Sequence, residues 1–143
     1  MIVNSCSNRF KKEVLNGTID YLTDQHKIAL MVPAFSFNKD THGTWADVSA
    51  SEIAAGNGYT AGGASLTISG EVLQDDVLDK GVLNFNPIRW DATGGDIAEC
   101  GSAIVYDDTH AEKIIVGCSD FDVNYLTESG KFMRFSTIQF LVA

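Results

Sequence analysis

The chain has 143 residues, enough for one domain whose core needs no metal or disulfide staples, since a domain of this size buries roughly 68–70% of its unfolded surface. Hydrophobic residues make up 45% and charged residues 20%, a balance that excludes intrinsic disorder. The formal charge is −9, with ten Lys and Arg against nineteen acids; this argues against direct binding to nucleic acid or to an anionic membrane surface.

In chain order, residues 1–17 read as an N-terminal arm with a short helix. Met1 to Cys6 carry neither a basic region nor a long apolar stretch, so no secretory signal is expected. Ser7 to Leu15 read as the helix: Ser5 or Ser7 caps it, Phe10 and Val14 share one face, and Asn16-Gly17 supplies a left-handed stop. Asn16-Gly17-Thr18 also matches a glycosylation acceptor, which without a secretory signal reads as the helix stop alone. Extended structure is predicted to begin at Ile19–Leu22, and the apolar run from His26 to Val32 reads as a buried strand ending at Pro33. That run is far short of the roughly 20 residues a membrane helix needs.

A long irregular loop is predicted from about residue 34 to residue 64. Within it, Ser49-Ala50-Ser51-Glu52 has capping-box spacing, and Ile53 to Ala55 would extend one helical turn before Gly56. Gly56-Asn57-Gly58-Tyr59-Thr60-Ala61-Gly62-Gly63 reads as a loop of prescribed shape, pinned to the core by Tyr59. Strands follow at Ser65–Ser69 and at Val82–Trp90, where the apolar parity switches at Pro87 and suggests a bulge on an edge strand. Further strands are predicted at Cys100–Tyr106, Lys113–Phe121 and Lys131–Val142. Glu128-Ser129-Gly130 would close a hairpin between Asp122–Leu126 and Phe132–Leu141. The expected fold is a mostly β, single domain over 1–143: an antiparallel β-sandwich or jelly-roll-like barrel with one short N-terminal helix.

Residues able to carry chemistry are present without the spacing chemistry needs. The glycine loop misses GxGxxG by one position and is not followed by Lys-Ser/Thr, so it reads as structural rather than phosphate-binding. Asp107, Asp108, His110 and Glu112, with Asp120 and Asp122 nearby, lack the register of a calcium loop and read as solvated turn acids, as do Asp75, Asp76 and Asp79. His26, His42 and His110 lie in unrelated contexts; His26 reads as a satisfied structural residue and His42 as an aid to the long loop. No GxSxG elbow or cysteine-protease signature occurs. No catalytic residue, cofactor or metal is therefore assigned. Cys6, Cys100 and Cys118 are odd in number and form no CxxC, so buried reduced thiols are expected, a Cys100–Cys118 bridge being the other option.

The aromatics are more informative. Phe35, Phe37, Trp45 and Tyr59 fall in or beside the long loop. They either fold back over one end of the core or anchor a protein–protein contact, and they are the candidate interface residues. At Lys27-Ile28-Ala29-Leu30-Met31, Trp45-Ala46-Asp47-Val48-Ser49, the glycine–tyrosine loop 56–63, Trp90 and the strand Ala103 to Asp108, the chain resembles a family of small virion structural proteins of tailed bacteriophages. The resemblance implies a non-enzymatic protein of the virion, made in the host cytoplasm. Its partners would be the major capsid protein and further copies of itself, as a trimer. Two structural roles fit it: capsid decoration, or a tail, neck or fibre component. From the residues alone, a carbohydrate-binding β domain using Trp45, Tyr59 and Trp90, or a hydrolase with a dispersed site, are the other readings.

Overall fold

In the computed structural model, residues 3–143 are described, with side chains from Asn4 onward; Met1 and Ile2 of the predicted arm lie outside the described residues. Strand β1 (Val3–Cys6) leads into helix α1 (Asn8–Leu15), and Ser7 caps that helix by accepting the Phe10 N–H at 3.0 Å. Gly17, at φ +73°, ends it where a side chain would be strained. Arg9 pairs with Glu13 one turn on and with Glu112 of a distant turn, tying the exposed face of the helix to the body of the fold.

Strand β2 (His26–Met31) forms as its sequence predicts. It is an interior strand covered on both faces, which only a continuous apolar run tolerates. Together with β3 (Ala64–Leu66), β7 (Ile97–Asp107) and β8 (Ile115–Thr127) it builds an antiparallel five-stranded sheet in the order β1-β8-β7-β2-β3. Two smaller antiparallel sheets complete the strand set. One has the order β10-β5-β4, with β4 (Leu73–Asp75), β5 (Lys80–Phe85) and β10 (Ile138–Val142). The other pairs β6 (Ile88–Asp91) with β9 (Phe132–Phe135). The protein is thus mostly β and antiparallel, with one short N-terminal helix and a second, one-turn helix α2 (Trp45–Val48). Among the described residues no sheet closes on itself, so the barrel alternative does not hold.

One face of the large sheet, with Ile28, Leu30, Ala103 and Val105, shares a core with Leu83, Phe85, Ile138 and Phe140 of the three-stranded sheet and Trp90 of β6. The opposite face, with Ala29, Met31, Ile104 and Tyr106, packs under Val48, Phe35, Phe37 and Trp45. Each fully buried aliphatic or aromatic side chain contributes about 1.5–3 kcal/mol. Gly117 lets the two sheets meet: a Cβ there would lie 2.7 Å from the Phe140 ring and 2.3 Å from the Ser5 carbonyl.

Four local expectations are corrected, and the expected buried free thiols are found. Ile19–Leu22 is not extended; it is a turn segment whose buried Ile19 and Tyr21 mimic strand alternation. The capping box lies at Thr44 and Asp47 instead of Ser49 and Glu52, and Ile53–Ala55 is not helical. At Pro87 the chain does not bulge but crosses between sheets, β5 pairing with β10 and β6 with β9. The stretch Lys131–Val142 divides in the same way, and the expected hairpin with Asp122–Leu126 is absent because that segment continues β8. Cys100 and Cys118 lie in neighbouring strands but belong to the two opposite cores, so all three thiols are buried and free. Burial pushes Cys118 up to about 12, which keeps it an unreactive thiol.

Candidate protein interface

The glycine–tyrosine loop is held by hydrogen bonds its own residues provide. Tyr59 is 2% exposed, and its hydroxyl accepts the Leu30 N–H at 2.9 Å while donating to Glu52 Oε1 at 2.8 Å. The same Glu52 oxygen accepts the Gly62 N–H at 2.7 Å, and the Tyr106 hydroxyl donates to the Gly62 carbonyl at 2.6 Å. Burial drives the Tyr59 phenol far above its ordinary range, so it remains a donor throughout the accessible pH range. Asn57, at φ +58°, extends the clamp by donating to the Asp96 carbonyl.

Of the four candidate contact aromatics, Tyr59 is therefore consumed by the core. The other three are half-buried and form a lid on the outer face of the large sheet. Phe35 stacks on His42 with centroids 5.5 Å apart, and His42 Nδ1 accepts the Asn38 N–H, so His42 does brace the loop. Trp45 stacks on Tyr106 at 4.6 Å and borders a shallow groove of about 520 Å³ with Thr44, Ser49, Glu112 and Lys113. Trp45 thus presents an ordered indole at the surface of the fold, backed by the buried Tyr106.

Larger apolar exposure lies outside the segments that the sequence marks. Val123, Tyr125 and Leu126 on the far half of β8, with Phe132 of β9, are about half exposed, and Tyr125, Leu126 and Phe132 line a groove of about 340 Å³. At the turn between β4 and β5, Val77 is 91% exposed and Leu78 50%. Comparison with protein families, with curated proteins and with solved structures gives no match, so these surfaces carry the functional reading.

No group of three or more metal-ligating side chains converges among the described residues, and no helix is long and apolar enough to cross a membrane. Asp107, expected to be solvated, is instead fully buried. Its Oδ1 accepts the Thr109 and His110 N–H groups, its Oδ2 has no donor, and its acidic neighbour is Asp24. His26 is buried between Tyr21 and Phe85 with both ring nitrogens unbonded, which burial keeps neutral, so it is not the satisfied residue its position suggests.

Burial, then the neighbouring Asp24 carboxyl, pushes Asp107 up to about 7. A carboxyl raised in the folded state contributes most below its unfolded value of about 3.9, and the contribution is lost as pH rises through the folded value. Asp107→Asn, which mimics the protonated acid, is expected to match the wild type near pH 4 and to be about 1–2 kcal/mol more stable above pH 7. Urea denaturation across that range is the measurement; a constant difference at every pH would place the ionisation elsewhere.

Proposed function

We propose that the chain is a structural protein of a tailed-bacteriophage particle, a capsid decoration protein that attaches to the outer shell as a homo-oligomer. In this reading the smaller sheets and the large sheet form an open sandwich, and the resemblance at 27–31, 45–49 and 56–63 supplies the family. The observation that carries the role is the ordered apolar surface: half-buried Trp45 on its Tyr106 support serves shell attachment, and the exposed Tyr125, Leu126 and Phe132 around a groove serve self-association. Rigid aromatic anchors of this kind bind large surfaces at low entropic cost. The 56–63 segment fixes the support of Trp45, because the Tyr106 hydroxyl is bonded to the Gly62 carbonyl. Multiple weak contacts from one oligomer then add as avidity, and binding to the mature shell alone stabilises that state by mass action.

Mixing the purified protein with undecorated shells tests this; absence of binding at saturation overturns the shell assignment. Copy number decides between decoration, with hundreds per particle, and a tail or neck component, with about 3–12 following cyclic symmetry. Trp45→Ala is expected to weaken shell binding by about tenfold or more while moving the melting temperature of the free protein only by about 2–4 °C. Equal losses in both would return Trp45 to a purely internal role. The carbohydrate reading is not favoured, since Tyr59 and Trp90, two of its three rings, are buried.

A further inference from the structure

The two exposed apolar features differ in shape and in charge. The first is a projecting turn. Between residues 71 and 80 there are four acids, Glu71, Asp75, Asp76 and Asp79, against the single Lys80. Asp75 Oδ1 accepts the Val77 and Leu78 N–H groups at 3.0 and 2.9 Å, and Asp79 takes a left-handed backbone at φ +53°. The turn is therefore shaped in advance, with Val77 and Leu78 presented at its tip and negative charge around them.

The second feature is a groove with the opposite charge. It is lined by Tyr125, Leu126 and Phe132, with Lys131 and Arg134 along it. Arg89 lies with its guanidinium carbon 3.8 Å from the centre of the Phe132 ring. Three of only ten cations in a strongly acidic chain thus meet at one site. Arg89 and Arg134 are direct cross-strand partners in the β6–β9 ribbon, an arrangement that repels unless an anion relieves it. Asp91 answers Arg89 and Glu128 answers Lys131, whereas Arg134 has no ion partner among the described residues.

We infer that the acidic β4–β5 turn of one copy seats in the cation-rimmed groove of the next, Val77 and Leu78 against Phe132 and Leu126, with the turn carboxylates against Arg134. A contact between two different patches is heterologous, so repetition closes a ring if the rotation permits and otherwise extends a filament. This specifies the self-association half of the proposed function and rests on it only there; shell attachment is a separate contact.

Light scattering and sedimentation on the full chain test it, since Val77 and Phe132 are exposed and their replacement leaves the core intact. The wild type is expected to form one closed oligomer, whose dissociation constant rises about tenfold or more in Arg134→Glu and falls back when Asp76→Lys is added. Val77→Asp and Phe132→Ser are each expected to be monomeric by themselves. Mixed together they should form a one-to-one pair and nothing larger, because only one intact turn faces one intact groove. A wild type that is monomeric at every concentration overturns the inference, as does an oligomer that survives both variants. A monomer that still binds shells leaves the decoration reading standing, and a ring that does not bind them removes that reading alone.

Discussion

Replacing Gly63 with alanine is expected to remove a large part of the stability of the fold. A Cβ at this position would lie 2.0 Å from the Ile28 carbonyl oxygen and 2.6 Å from its carbon, and both atoms belong to the interior strand β2. Backbone atoms of a strand paired on both sides do not move aside, so the loop itself would have to lift away. The residue also sits at φ +84°, where a side chain costs about 1–2 kcal/mol before any contact is counted. Together these are expected to cost at least about 4 kcal/mol, against a total stability of about 5–15 kcal/mol for a domain. Gly17→Ala separates the two causes. That position has a similar φ of +73° and nothing within 4 Å of the added carbon, so only about 1 kcal/mol should be lost. Equal losses at the two sites, measured by urea denaturation, would show that the close approach to Ile28 is not decisive.

The second large effect is expected from Tyr59→Phe. Removing the hydroxyl leaves the Leu30 N–H without an acceptor and Glu52 without its phenolic donor, while the packing of the ring against Trp90, 6.3 Å away, is unchanged. An abandoned buried donor costs more than a hydrogen bond contributes when made, so the expected loss is about 2–4 kcal/mol. Glu52→Gln should cost less than about 1 kcal/mol, because an amide oxygen accepts the same two bonds. The Leu30 amide should exchange with solvent far faster in the phenylalanine variant. Unchanged protection of that amide would mean that the Tyr59 hydroxyl does not hold β2 in place.

What the sequence disclosed was decided by short-range physics. Helix α1 was legible because Ser7 and Gly17 are local start and stop signals, and β2 because a continuous apolar run suits a strand covered on both faces. The role of Tyr59 as a pin was legible too, since a tyrosine among glycines in a rigid loop has few other uses. Its partners were not: the spacing of Glu52 suits a helix cap, and Leu30 lies outside the loop altogether. The misreadings share one cause. The segments 82–90 and 131–142 each look like single strands, yet each changes sheet midway, and alternation does not say which partner a strand takes. The same gap hid the apolar surfaces, because exposure of Phe132 depends on β9 pairing with β6 rather than β8. Likewise Asp107 looked like a turn acid until β7 proved to carry it into the interior beside β2.

The pairing pattern also sets the order in which the molecule can assemble itself. In the five-stranded sheet only β7 and β8 are joined by a short connection, and every other pairing waits for segments far apart in sequence, Cys6 opposite Gly117 among them. Closing such long loops is slow, so the β7–β8 hairpin is the natural nucleus and the arrival of β1 a late event. A late-arriving edge strand leaves one side of the sheet open in the meantime. Newly made chains are therefore expected to pass through a stage when that side is free to pair with a neighbour, so refolding yield should fall as chain concentration rises.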